Sequence, residues 1–186
     1  MTREETTALT MLAGAMTLGV VLLLAVHGVH EEGVREVIRW TARSSLFFLS
    51  AVLVTEGRTW RLSAAWRRPV LLRSLAVSHT LHALAIAALA VQIDGRNLLE
   101  RSSALNVLGG ALAYVFIFWG ALHPQSRLTS AGLVWIWGVF LFSYGVRALR
   151  MPLPYGFAVG LLFAVIAIRM TAAVPAWRRP EAMIRE

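Results

Sequence analysis

The sequence contains no cysteine and no lysine. Without cysteine, the chain can form no disulfide and offers no thiolate to zinc or to an iron–sulfur cluster. All 18 of its basic residues are therefore arginines. Charged residues make up only 15% of the chain and hydrophobic residues 58%, against roughly 45–50% in soluble domains. This composition is typical of a membrane protein.

The charge balance is strongly positive, with a formal net charge of +8. In a soluble chain such an excess would favour nucleic acid as the partner. Here the arginines lie mostly between apolar segments, as membrane-flanking charges do. No basic face with interleaved aromatic residues accompanies them. We therefore expect membrane lipid, and no nucleic acid, as the partner of these arginines.

A helix needs about 20 mostly apolar residues to cross a bilayer. Six segments qualify, and the short connections between them would place consecutive helices side by side and antiparallel. The predicted spans are Leu9–Val29, Val37–Thr55, Pro69–Val91, Ala104–Leu122, Leu128–Leu149 and Leu153–Ala173. The first is expected to be a retained helix, because its flanks lack a clear signal-peptide pattern. The sequence thus predicts an all-α membrane protein with six transmembrane helices in a single domain over residues 1–186.

The arginines are shared unequally between the two sides of this bundle. One side would hold seven of the 18, namely Arg35, Arg39, Arg43, Arg96, Arg101, Arg147 and Arg150. The other would hold Arg3, Arg58, Arg61, Arg67, Arg68, Arg73, Arg127, Arg169, Arg178, Arg179 and Arg185. Because cytoplasmic loops carry the excess of positive residues, both termini are predicted to be cytoplasmic. The predicted location is the cell inner membrane, as a multi-pass protein.

Two histidines, His79 and His82, fall near the middle of the third predicted span, in SHTLHALAIAAL. A spacing of three places them on one helical face. An ionisable residue at that depth is costly unless it faces the bundle interior and has a partner. Three roles are compatible with this placement of the two histidines: ligation of a metal or heme iron, proton relay, and hydrogen bonding to a neighbouring helix. A transporter with a proton relay is disfavoured, because the first five spans hold no acidic residue.

Three further histidines lie near the ends of predicted spans. His27 and His30 occur in HGVHEE, where H-x-x-H with adjacent carboxylates can bind a divalent metal. The flanking glycines and the position at the membrane surface favour a solvated helix end instead. His123 precedes Pro124, which is ordinary for a loop.

Two arginines open the second predicted span in RWTARSSLFF. Arg39 can extend to the lipid headgroups. Arg43 lies one turn deeper in the predicted span, where a charged side chain is costly unless it has an anionic partner. That partner is either a lipid phosphate or a heme propionate.

Together these features resemble the ferric-reductase-like transmembrane domain, whose superfamily includes the heme-binding membrane subunit of the bacterial methionine sulfoxide reductase system. The resemblance covers roughly Val37 to Ala173. It lies in RWTARSSLFFLSAVL, WRRPVLLRSLAVSHTLHALA, GGALAYVFIFWGAL and WIWGVFLFSY. It implies a b-type heme with His82 at the ligand position and His79 as the neighbouring candidate. Arg43 and Arg39 would then hold the propionates.

The sequence departs from the family at the start of the fifth helix, where the opposing heme ligand is normally a histidine. This chain reads SRLTSAGLVWIW, with Thr129 at that position. Three outcomes are open. His82 binds heme alone, His123 substitutes for the missing ligand, or heme is lost and only the helical scaffold is kept.

The resemblance implies a heme b-binding subunit that transfers electrons across or within the inner membrane, as the membrane component of an oxidoreductase. Because the sequence has no Gly-rich phosphate loop, electrons are expected from a separate flavoprotein reductase or from membrane quinone. The alternative is a heme-free membrane scaffold, sensor or partner subunit.

Overall fold

The computed structural model describes residues 1–56, 63–93 and 104–177. These residues fold into six α-helices and one short 3-10 turn, Ala64–Trp66, and contain no β-strand. The helices are α1 (Arg3–His27), α2 (Glu31–Thr55), α3 (Arg68–Gln92), α4 (Ala104–Leu122), α5 (Arg127–Ala148) and α6 (Pro152–Trp177). The prediction of an all-α protein is confirmed.

Four of these helices, α1, α2, α3 and α5, are long and apolar enough to cross a membrane. The other two hold shorter apolar stretches, Val107–Leu122 in α4 and Tyr155–Thr171 in α6. The membrane character of the chain therefore rests on four helices. The six-span count and the cytoplasmic termini stay predictions.

Five helices form a closed ring in which α2, α3, α4, α5 and α6 each contact the next, and α6 contacts α2. The first helix lies outside this ring, against α2 and α3, and only Glu5 and Met16 of its residues are buried. The centre of the ring is filled by large aliphatic side chains. Those with almost no exposed surface include Leu49, Leu53, Leu75, Ile117, Leu133 and Leu162.

The first two helices extend beyond the apolar segments that predicted them. The first begins at Arg3, where the Thr2 hydroxyl accepts from the Glu5 backbone amide and the Glu5 carboxylate accepts from the Thr2 amide. The second begins at Glu31, six residues before the predicted start. Capping groups and salt-bridged charges determine where a helix starts, whereas hydropathy marks only its membrane-spanning part.

A tight turn joins α1 to α2. Gly28 ends α1 with φ +79°, a conformation that favours glycine. A Cβ on Gly33 would collide with the backbone carbonyl of Gly28. These two glycines therefore allow the first turn of α2 to pack directly against the end of α1.

Ion pairs gather several helix termini at one end of the bundle. Arg67, just before α3, pairs with Glu5 at the start of α1 (Nη1–Oε1 3.4 Å). Arg68 and Arg169 both pair with Glu56, the residue that follows α2. These three arginines belong to the larger predicted arginine group. Five other members, Arg58, Arg61, Arg178, Arg179 and Arg185, lie outside the described residues, as do Arg96 and Arg101 of the smaller group.

Candidate functional site

The central feature of the candidate site is a hydrogen bond between α3 and α2. His82, half-buried on α3, lies with its Nδ1 2.9 Å from the hydroxyl oxygen of Thr41. Thr41 is fully buried on α2. Because the two residues are 41 positions apart, the contact depends on the packing of the two helices.

The surroundings of Thr41 indicate which ring nitrogen of His82 carries the proton. The threonine hydroxyl is 2.8 Å from the carbonyl oxygen of Val37 and 3.1 Å from that of Ile38. A hydroxyl has one proton to donate. A carbonyl oxygen can only accept that proton, whereas a ring nitrogen of His82 can either accept a proton or donate its own. We therefore assign the hydroxyl proton to a carbonyl, so that its oxygen accepts from Nδ1–H of His82. This tautomer leaves the lone pair of Nε2 free to bind a metal or accept a proton.

Further buried hydroxyls continue this contact along the two helices. The Ser45 and Ser78 hydroxyls are 2.9 Å apart, and Ser78 also donates to the Thr41 carbonyl at 3.1 Å. Thr41, Ser45, Ser78 and His82 form a polar seam between α2 and α3. Such bonds inside a membrane bundle are worth about 0.6–2 kcal/mol each. The seam holds α2 at a fixed register beside the imidazole of His82.

His79 lies deeper than His82, with 6% of its surface exposed. Its ring packs edge-on against Tyr114 of α4 (centroids 5.3 Å apart) and beside Phe140 of α5 (5.7 Å). The His82 ring is 6.2 Å away. Nδ1 of His79 is buried and makes no hydrogen bond of normal geometry within the described residues, although the backbone carbonyl of Leu75 lies near the ring. His79 is therefore held by aromatic packing, whereas His82 is held by a directed hydrogen bond.

Aromatic rings continue from His79 along α5. Phe140 stacks with Tyr144 at 6.1 Å, and Tyr144 lies 5.9 Å from Tyr155 of α6. The guanidinium of Arg147 lies 6.0 Å from the Tyr155 ring centroid. The series covers His79 on the α5 side with large rings and continues to the end of the bundle opposite Glu56.

The two arginines predicted to hold propionates do not lie on the histidine side of α2. Arg39 forms ion pairs with Glu32 and Glu36 of its own helix. Arg43 is exposed. It lies two residues after Thr41, and two residues rotate a helix by roughly 200°. The side chain of Arg43 therefore projects from the opposite side of α2 to the Thr41 hydroxyl.

Arg43 instead lines a surface hollow of about 380 Å³ between α1 and α2. The hollow is also lined by Met16, Trp40, Ser44, Phe47 and Phe48. A second hollow, of about 400 Å³, lies on the outer face of α1. Neither hollow is lined by His79 or His82.

The position where the family resemblance implies a second heme ligand, Thr129, is also distant from the histidine pair. Thr129 is buried at the start of α5, where its hydroxyl donates to the carbonyl of His123 at 2.7 Å. The α5 residue beside His79 is Phe140, eleven residues later and so about 16 Å farther along the helix. A ligand on α5 at the level of His79 would thus have to replace Phe140.

His123, the predicted substitute ligand, is exposed at the end of α4 with its ring 4.4 Å from that of Trp119. It lies nine residues after Tyr114, or about 13 Å along the helix axis. The structure therefore does not bring His123 to His82. At the other end of the bundle, His30 precedes α2 without a side-chain capping bond. Within the described ranges, no group of three or more His, Asp or Glu residues could hold a metal ion.

Sequence reasoning found the histidine pair and missed most of its contacts. Thr41, Ser45, Ser78, Tyr114 and Phe140 are common residue types in membrane helices and carry no motif. The spacing of four between Thr41 and Ser45 was the only available signal, since it places two hydroxyls on one face of α2.

Comparison with models of known protein families, with curated proteins and with solved structures gave no match. The resemblance to the ferric-reductase-like domain therefore stays a prediction.

Proposed function

We propose that this protein is a b-type heme subunit of the inner membrane, in which His82 alone among the described residues ligates the iron. The hydrogen bond between His82 and Thr41 carries the proposal. A metal-ligating histidine normally donates its other ring N–H to a fixed acceptor, which sets the tautomer and the ring orientation. The Thr41 hydroxyl is such an acceptor, and it leaves Nε2 of His82 as a free base.

The residues around His82 suit a buried, water-poor site. The polar seam fixes α2 against α3, and the rings of His79, Tyr114 and Phe140 close the interior beside it. A bound heme would supply a reversible one-electron couple whose potential depends on its ligand and on burial. The chain itself would position Nε2, exclude water and keep the ring from rotating.

In this proposal the chain is the membrane component of an oxidoreductase, with its six helices crossing the membrane and both termini in the cytoplasm. Electrons would come from a separate flavoprotein reductase or from membrane quinone. The excess of arginine on the side of the termini supports this orientation.

The visible absorption spectrum of the detergent-purified protein tests the proposal. We expect a Soret band that shifts on reduction with dithionite. Because only one histidine would hold the iron, carbon monoxide should shift the band of the reduced protein further. A colourless protein that elutes as a monodisperse species after expression with added heme precursor would refute heme binding.

A heme-free membrane scaffold, sensor or partner subunit is the second candidate. Three observations favour it. The guanidinium of Arg39 is already paired with two carboxylates, Arg43 projects from the opposite side of α2, and both surface hollows lie away from the histidines. In that case the polar seam would serve only to hold α2 and α3 together.

A further inference from the structure

A second polar cluster lies at the end of the bundle where α2 finishes and α3 and α5 begin. Glu56 pairs with Arg68 (Oε1–Nη2 3.1 Å) and with Arg169 of α6 (Oε2–Nη2 2.6 Å). Ser130 of α5 donates to the same carboxylate at 2.6 Å. We call these four residues the Glu56 cluster. All four are largely buried, with side chains of the charged members 11–21% exposed.

The Glu56 cluster holds more positive charge than it can neutralise internally. Two guanidinium groups share one carboxylate, which leaves an excess of one positive charge. Nε of Arg68 and Nη1 of Arg169 are buried and lack a hydrogen-bond partner in the described part of the chain. A buried charged donor without a partner costs more than a neutral one. Oε2 of Glu56 is likewise buried without a hydrogen bond, although it lies 2.6 Å from Nη2 of Arg169. Among the described residues, the two guanidinium groups therefore keep one positive charge and two N–H donors that no acceptor takes up.

The N-termini of α3 and α5 at this end add to the positive potential, whereas the C-terminus of α2 opposes it. Arg68 is the first residue of α3, and Ser130 lies in the first turn of α5. Helix N-termini carry partial positive charge from their unpaired backbone N–H groups. An anion near the Glu56 cluster would thus be attracted chiefly by the two guanidinium groups, because the C-terminus of α2 at Glu56 offsets part of the attraction of the two N-termini.

We propose that the Glu56 cluster binds the phosphate of an anionic phospholipid. Guanidinium groups match phosphate oxygens through paired N–H donors. The cluster lies at the end of helices long enough to cross a membrane, which is the level of lipid headgroups. Basic pockets between transmembrane helices are known to hold anionic headgroups. One lipid phosphate would supply the missing acceptor and stabilise the contacts among α2, α3, α5 and α6.

Native mass spectrometry of the delipidated protein tests this inference, with dioleoyl phosphatidylglycerol and dioleoyl phosphatidylcholine as probes. The wild type should bind phosphatidylglycerol at least fivefold more tightly. Arg169→Gln should reduce that preference about fivefold, the equivalent of ~1 kcal/mol for one arginine at an anionic surface. Arg35→Gln is the matched control, because Arg35 forms an exposed pair with Glu31 at the other end of α2. Its lipid preference should equal that of the wild type.

Glu56→Gln separates lipid binding from a purely structural role. Removing the carboxylate frees both guanidinium groups, so the monodisperse variant should bind phosphatidylglycerol more tightly than the wild type does. A purely structural cluster predicts no such gain.

Equal binding of the two lipids by the wild type would overturn the proposal, as would an unchanged preference in Arg169→Gln. Inorganic phosphate distinguishes the source of the anion. If it raises the melting temperature of the delipidated protein as much as phosphatidylglycerol does, the assignment to a lipid is wrong.

Discussion

At the scale of the residue, the candidate site depends on one threonine. The hydroxyl of Thr41 lies 2.9 Å from Nδ1 of His82, and the two backbone carbonyls that the hydroxyl also reaches favour Nδ1 as the protonated nitrogen of the ring. Neither residue reveals this partnership in the sequence, because 41 positions separate them. The histidine was predictable from its depth in an apolar segment, and its acceptor was not.

Thr41→Val should weaken heme binding about 10- to 100-fold, as loss of a ligand-orienting hydrogen bond typically does. Valine keeps the branched shape of threonine but has no oxygen to accept from Nδ1–H. Titration of the heme-depleted protein with hemin measures the change. Thr41→Ser is the control and should bind nearly as the wild type does, because serine retains the acceptor. Equal affinities for the valine and serine variants would show that the hydrogen bond does not support a ligand.

Arg43→Ala should leave the heme content of the purified protein unchanged. The side chain of Arg43 is exposed in the hollow between α1 and α2, on the far side of α2 from Thr41. A lipid phosphate is therefore the partner that its position favours. Heme content is measured at limiting heme, with membrane-inserted yield as the control. A selective loss of heme at normal yield would restore the propionate role implied by the family resemblance.

At the scale of the element, two glycines of α5 differ sharply in their surroundings. A Cβ on Gly132 would lie 2.8–2.9 Å from the Cβ, Cγ and Cδ1 atoms of Phe116 on α4. Gly138 has nothing within 4 Å of an added Cβ. Of these two positions in α5, only Gly132 must be glycine for α4 to pack as closely as it does.

Gly132→Ala should lower the free energy of unfolding by about 1–3 kcal/mol, since α4 and α5 must separate to admit the methyl group. Gly138→Ala is the matched control. It should be neutral or stabilising by up to ~1 kcal/mol, because alanine favours the helix. Thermal unfolding in detergent measures both. A Gly132→Ala variant as stable as Gly138→Ala would contradict the close packing of α4 on α5.

The helices themselves were predictable, and their contacts were not. Apolar runs predicted the positions of α2 and α3, since hydropathy reports membrane depth directly. The helix α2 begins six residues before its predicted membrane span, because Glu31 and its neighbours extend the helix through ion pairs. Alignment by motif identified Thr129 as the missing ligand position, yet the ring that faces His79 belongs to Phe140. Depth along a neighbouring helix depends on packing, which hydropathy does not encode.

At the scale of the whole molecule, the predicted orientation in the membrane rests on the distribution of arginine. The structure brings Arg67, Arg68 and Arg169 to one end of the bundle through their ion pairs. A reporter active only in the cytoplasm should therefore give a signal when fused to either terminus. A reporter active only in the periplasm, fused to the same positions, serves as the control. Its activity at the C-terminus would contradict either the six-span count or the orientation.

The heme content per protein chain of alanine variants is the most direct test of the central claim, that His82 is the ligand. Wild type, His82→Ala, His79→Ala and His123→Ala would be purified in parallel from cells supplied with a heme precursor. His82→Ala should lose nearly all heme, whereas His79→Ala should keep most of it with an altered spectrum. His123→Ala is the surface control and should match the wild type. If both His82→Ala and His79→Ala retain the wild-type heme content, neither residue is a ligand and the account is contradicted.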